Sequence, residues 1–199
     1  MVGLITIGSA LLLGDKTSEK LASSTALVRD YSHKVGIAEA KVALVEFADF
    51  QCPACGAFYP SLKQATKEYQ DRFSFTYRHF PLPSHPNAKE AALTSEAASG
   101  QGKFWEMQAL LYERQKEWSE VADPTPIFEK YSLELNLNLD EFRKSVGDEA
   151  NLVRVNQDSQ DGSNLGVNST PTLFINSKKY TGGLSYTDLK KAIEKELSK

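Results

Sequence analysis

The chain has 199 residues, 41% of them hydrophobic, and carries 23 basic against 26 acidic side chains for a formal charge of -3 at pH 7. That length and apolar content suffice for one domain with a substantial core. The nearly balanced charge, with no basic cluster and no aromatic RNA-binding motif, argues against a nucleic-acid binder, and no internal repeat or low-complexity tract breaks the chain into modules.

The first element is the apolar run Val2 to Leu13. It is about a dozen residues long, short of the roughly 20 that a spanning helix needs. It has the character of an export-signal core, yet no lysine or arginine precedes it and no small-x-small cleavage site follows. A membrane-anchor remnant and a short buried helix are the other readings of residues 1–13, and the polar residues 14–34 read as a linker.

Val42 to Ala48 then reads as a buried strand in which Glu46 is the lone charge. It leads into Cys52-Pro53-Ala54-Cys55 and a helix from Gly56 through Leu62 and Tyr69. Phe73 to Phe80 alternates like a second strand and stops at Pro81-Leu82-Pro83. Asn87 with Glu90 has the spacing of a capping box opening a helix over Ala88 to Ala98, which Gly100 and Gly102 end. Phe104, Met107 and Leu111 mark one face of the next helix, expected to run to about Trp118. Asp123-Pro124 and Asp140-Glu141 open further helices, and Asn151 to Ser163 reads as another. Pro171 opens a strand over Thr172 to Ile175, and Gly182-Gly183 precedes a terminal amphipathic helix whose Lys190, Lys191, Glu194, Lys195 and Glu196 read as a solvated face.

The chemistry concentrates at Cys52 and Cys55, the only two cysteines of the chain. Strand, CxxC, helix is the context of a redox motif, and two thiols at this spacing can bond to each other. Cys52 falls at a helix N-terminus, where unpaired N–H groups and the macrodipole favour an anion, and the thiolate is the species that attacks or leaves in disulfide exchange. Pro53 has no N–H to lose in the first turn. Cys55, one turn on, is expected to be the more buried, resolving thiol. A zinc site would need four ligands, and His33, His79 and His85 stand at no paired-ligand spacing. A purely structural bridge across so short a loop would remove little unfolded-state entropy.

Together, Cys52-Pro53-Ala54-Cys55 and the distant Ser169-Thr170-Pro171-Thr172 resemble the motifs of the thioredoxin superfamily, more closely its DsbA-like branch. Tyr77 to Leu82, His85 to Ala88 and Gly102 to Trp105 add a likeness to the helical domain of exported bacterial members. The resemblance runs from about Val35 to the end and implies an α/β thioredoxin fold with a helical domain inserted at about 87–165. It implies that Pro171 is the cis-proline beside the active-site pair, that Thr170 presents its backbone to a bound substrate strand, and that Pro60 is the proline found within the first helix. It places Glu46 where the superfamily keeps a buried acid assisting the resolving cysteine, the alternative being a carboxylate partly exposed at the sheet end. Phe50 and Phe58 are candidates for a substrate groove, core packing being their other reading. The chain departs from the branch at Ala54, where the strongest oxidants carry histidine, which leaves the redox poise open.

The activity so implied is thiol–disulfide exchange, with donation of the Cys52–Cys55 disulfide to exported proteins favoured over reduction, isomerisation or a non-catalytic chaperone role. No cofactor and no metal are called for beyond the cysteine pair. The implied partners are unfolded or reduced exported proteins and a quinone-linked membrane protein that restores the disulfide. A monomer outside the cytoplasm is expected, in the periplasm or on the outer face of the membrane, with a membrane tether compatible with the N-terminal run.

Overall fold

A computed structural model describes residues 26–199. The apolar run and most of the linker read in the sequence lie outside them. Five strands form one sheet in the order β1-β3-β2-β4-β5: β1 (His33–Gly36), β2 (Val42–Ala48), β3 (Phe73–His79), β4 (Thr172–Ile175) and β5 (Lys178–Lys179). β2 and β3 run parallel, joined by helix α1 (Pro53–Glu68), and the other pairings are antiparallel. Parallel neighbours require such a crossover, and strands covered on both faces read as nearly unbroken apolar runs. β2 is such a strand, with six of its seven residues buried.

Alternation along the strands divides the core. Val42, Leu44 and Ala48 of β2, Phe73, Phe75 and Tyr77 of β3, and Leu173 and Ile175 of β4 join the larger cluster, which includes Cys52, Cys55 and Phe58 at the start of α1. Val45, Phe47 and Phe174 face the other way into a smaller cluster with Leu27, Phe80 and Val167. Glu46 is in register with Tyr77 on one side and Leu173 on the other, so it belongs to the face that packs beneath α1.

Six helices separate β3 from β4: α2 (Ala88–Ser99), α3 (Phe104–Glu113), α4 (Gln115–Trp118), α5 (Thr125–Glu134), α6 (Leu139–Val146) and α7 (Glu149–Asn164). The terminal helix α8 (Tyr186–Leu197) packs against α1. This is a thioredoxin fold with a helical insertion. Asn138 and Asp148 cap α6 and α7 through their side chains, each accepting from backbone N–H groups of the first turn. The β4–β5 hairpin turns through Asn176 and Ser177, whose φ values of 47° and 64° suit the two-residue turn that follows strand twist.

Three expectations need correction. The fold begins before Val35: Leu27 is buried and His33–Gly36 pairs with β3, so residues 26–34 are built into the domain rather than linking to it. Asn87 is not a side-chain cap. Its amide instead donates to the carbonyls of Trp118, Ser119 and Val121 in the turn after α4. Glu90 accepts from the Thr125 hydroxyl and takes no part in a capping box. The helix expected to reach Trp118 breaks at Arg114 into α3 and α4. Pro60, by contrast, lies inside α1 without ending it.

Candidate active site

The site forms where β2 gives way to α1. Asp49 organises the turn: its Oδ1 accepts from the Gln51 N–H at 2.7 Å, its Oδ2 accepts from the Leu82 N–H at 2.8 Å, and His85 Nδ1 lies 2.7 Å from the same oxygen. The Cys52 N–H donates to the Asp49 carbonyl at 3.1 Å. Cys52 is the N-cap residue, extended at φ -67° and ψ 121°, and Pro53 opens the helix. Its sulfur therefore lies against the unpaired N–H groups of the first turn.

From the far end of the chain comes Thr170-Pro171, joined by a cis peptide bond. The Cys52 thiol lies 3.3 Å from the Thr170 carbonyl, to which it donates when protonated. The Thr170 hydroxyl is buried with no partner among the described residues. Both cysteines are free thiols, Cys52 6% exposed and Cys55 1%.

These surroundings make the two sulfurs unlike. A hydrogen bond from the Cys55 thiol, joined by the backbone N–H groups of Cys55 and Ala54, outweighs burial and brings Cys52 down to about 5. Burial pushes Cys55 well above the ordinary thiol range, and its bond to Cys52 and the nearby Glu46 add to the shift. Glu46, 2% exposed, is raised to about 8 by burial first and by Cys52 second. Near neutral pH the arrangement thus holds an outer thiolate, an inner thiol and a carboxyl that retains its proton.

The residues singled out in the sequence are placed as follows. Cys52, Cys55, Thr170 and Pro171 come together, Glu46 is buried in the strand under them, and Pro53 and Ala54 form the exposed outer edge of the first turn. Phe50 and Phe58 do not line a groove. Each is 1% exposed, and Phe50 stacks on Tyr77 at 5.1 Å and tilts against Tyr112 at 5.0 Å. Aromatic rings of that size bury more area in the core than at an open surface, and the core claims both.

Sequence reasoning missed the groups that brace the turn from the insertion. Gln51 donates to the Ser119 carbonyl at 2.7 Å and accepts from the Asn87 N–H at 2.7 Å. Gln115 donates to the carbonyls of Phe50 at 2.6 Å and Cys52 at 3.0 Å. Uncharged amides far apart in sequence carry no spacing signal, so nothing in the chain order pointed to them.

His33, His79 and Glu96 form a second cluster, with their ligand-bearing atoms within 4.8 Å of one another. They come from β1, β3 and α2, which explains why no paired spacing was visible. Both histidine Nε2 atoms lie at hydrogen-bond distance from Glu96 Oε1, 2.6 and 2.9 Å, and Arg154 stands 3.4 Å from Oε2. Burial opposes charge on Glu96, but these bonds win and hold its carboxylate below the usual range. The separations are those of a hydrogen-bonded hub tying three elements together.

Comparison with known proteins agrees with this geometry. The family model described as thioredoxin matches residues 29–195. A sodium/proton antiporter NhaA 1 from Mycobacterium sp. (strain KMS) is 35% identical over 167 residues, covering 81% of this chain and 26% of the relative. An NhaA 1 from Salinispora arenicola is 37% identical over 166 residues, covering 82% and 24%. The chain thus spans about a quarter of the length of these relatives. Among solved structures, the thiol-disulfide exchange protein alpha-DsbA2 from Wolbachia pipientis superposes with a TM-score of 0.77 at 19% identity, covering 94% of this chain and 99% of the other. BdbD from Bacillus subtilis gives 0.73 at 23% identity, covering 84% and 94%. With its five-stranded sheet, inserted helices and paired thiols, the chain belongs to the thioredoxin family and has the DsbA-like form of its fold.

Proposed function

We propose that the protein is a thiol–disulfide oxidoreductase that donates a Cys52–Cys55 disulfide to reduced proteins outside the cytoplasm. One observation carries this reading: the asymmetry of the pair, with Cys52 brought to about 5 at a helix N-terminus and Cys55 held well above the ordinary range. A substrate thiolate attacks Cys52 Sγ, the bond to Cys55 breaks, and a mixed disulfide forms. Cys55 leaves as a thiolate in a buried site that disfavours its charge, so it takes up a proton. Glu46 is the neighbouring carboxyl that still carries one near neutral pH. A second substrate thiolate then attacks the substrate sulfur of the mixed disulfide and expels Cys52, which leaves easily because its thiolate is stabilised. Two electrons pass from the substrate dithiol to the enzyme disulfide, which becomes the Cys52/Cys55 dithiol as the substrate disulfide is released.

Stabilisation of the reduced form is what makes such a disulfide oxidising. That favours donation over reduction even with Ala54 in place of histidine. The reduced enzyme requires an electron acceptor, and a quinone-linked membrane protein fits the chemistry. The curated relatives are named as sodium/proton antiporters, and a place beside the membrane would suit this chain. No helix among the described residues is long and apolar enough to cross one.

The deciding measurement is the equilibrium reduction potential of the couple, titrated against glutathione with an alkylation readout. We expect a value nearer the roughly -120 mV of a strong donor than the roughly -270 mV of thioredoxin. A value at the thioredoxin end would overturn donation and assign a reductase, a poise that Ala54 leaves open.

A further inference from the structure

We propose that Gln115 is a positioning residue through which the helical insertion fixes the backbone of the reactive cysteine. The inference rests on the thiol–disulfide reading of the site. The Gln115 side chain crosses from the insertion to the catalytic turn, and its Nε2 donates to the carbonyls of Phe50 and Cys52. The Cys52 carbonyl already accepts from the Gly56 N–H at 3.1 Å, so Gln115 adds a second donor to the carbonyl that opens α1. Phe50 is buried, and a buried carbonyl needs a donor that the strand cannot supply once β2 has ended.

Three features make room for this contact and hold it. Arg114 leaves helical geometry at φ -115° and ψ 25°, which separates α3 from α4 and starts the short helix at Gln115. Trp118, fully buried, donates from its indole to the Leu111 carbonyl at 3.0 Å and fastens α4 back onto α3. On the other side, a Cβ at Gly56 would lie 2.9 Å from Gln115 Oε1, so the bare residue 56 lets the amide sit against the first turn of α1 without being displaced.

The consequence is chemical as well as mechanical. With the Cys52 backbone held at its extended cap angles, the sulfur stays beside the first-turn N–H groups of Ala54 and Cys55 that stabilise its thiolate. A donor on the Cys52 carbonyl also draws electron density away from the residue that must carry the charge. Without the bridge, the turn relaxes and the thiolate loses part of that stabilisation. The insertion would then set redox poise as well as cover the fold.

The test titrates the Cys52 thiolate by its ultraviolet absorbance in the reduced full chain, for the wild type, Gln115→Met and Gln115→Glu. Methionine keeps the length without the donor; glutamate keeps the shape and places an acceptor against two carbonyls. We expect the Cys52 pKa to rise by about one unit in Gln115→Met and further in Gln115→Glu. The potential should fall in step, by about 30 mV for each tenfold change in the redox equilibrium constant. A merely structural role would lower the urea midpoint and leave both quantities where they were, and that result would overturn the inference. A low wild-type pKa shared by Gln115→Met sinks this inference alone. A wild-type thiol titrating at the ordinary 8.5 or so sinks the reading beneath it.

Discussion

Cys52 and Glu46 work in opposite directions on stability. In the dithiol form the folded Cys52 loses its proton at about 5, against 9.0 for an ordinary thiol. Between those values the unfolded chain binds the extra proton, so the Cys52 contribution grows as pH rises through the window and is lost as pH falls through 5. Glu46 keeps its proton to about 8 when folded, against 4.5 ordinarily, and its contribution therefore declines from about pH 4.5 to 8. Forming the disulfide removes the thiol titration and leaves the decline. We predict that raising the pH from about 5 to about 8 stabilises the reduced protein relative to the oxidised one. Urea titrations of both forms across that range would show it, and parallel pH profiles would contradict it. Glu46→Gln should flatten the decline in the oxidised form. The thiols were legible from their spacing between an apolar run and a helix, whereas Pro171 and Glu46 were legible only through the resemblance of their surroundings to the family's motifs. The opposition of their titrations was not, since it depends on burial and on neighbours supplied by the fold.

Elements were legible where periodicity was strong and illegible where a few residues serve contacts from elsewhere. Val42–Ala48 is apolar almost throughout and declares itself a strand, whereas β1 is four residues, His-Lys-Val-Gly, with alternate residues partly exposed, and reads as the end of a linker. The break at Arg114 has no glycine or proline to announce it. Gly162 shows the same limit from another side. Within α7 it looks like a weak helix residue, yet a Cβ there would lie 2.7 Å from the Phe80 ring and 2.9 Å from Phe47. It lets α7 lie against the sheet at the smaller core cluster. Gly162→Ala forces those rings to move despite the better helix propensity of alanine. We predict a net loss of about 1–3 kcal/mol, read as a lower urea midpoint with an unchanged slope. A variant as stable as the wild type would show that the rings yield freely.

At the scale of the whole molecule, a buried charge network joins parts of the chain that the sequence keeps far apart. Arg78, fully buried in β3, donates to Asp158 at 2.8 Å and Asp161 at 2.6 Å on α7, and to the carbonyls of Ala26 and Leu27 at 2.7 Å. Arg29 grips Asp161 with two bonds of 2.8 and 2.7 Å, and Tyr31 donates to Asp158 at 3.0 Å. The segment at 26–31 is held on the back of the sheet by these contacts, which is why the domain starts earlier than its hydrophobic pattern suggests. Arg78→Met would strand buried carboxylates with fewer partners, and removing one side of such a group costs about 3–5 kcal/mol. The expected result is a large fall in unfolding free energy, together with earlier proteolysis near residue 29. Wild-type stability in this variant would mean that Arg29 on Asp161, with Tyr31 and the His79 N–H on Asp158, satisfies the aspartates without it.

The reactive sulfur and the carbonyl that faces it are 118 residues apart in sequence, with the entire insertion between them. A chain that emerges N-terminus first therefore displays its CxxC turn long before Thr170 and Pro171 exist to cover it. Until then neither the strand that borders the thiols nor the helices that brace them are in place. The surroundings that set the Cys52 thiolate apart are thus incomplete until nearly the last strand has been delivered. A product truncated before Thr170 carries both cysteines without the carbonyl that faces Cys52.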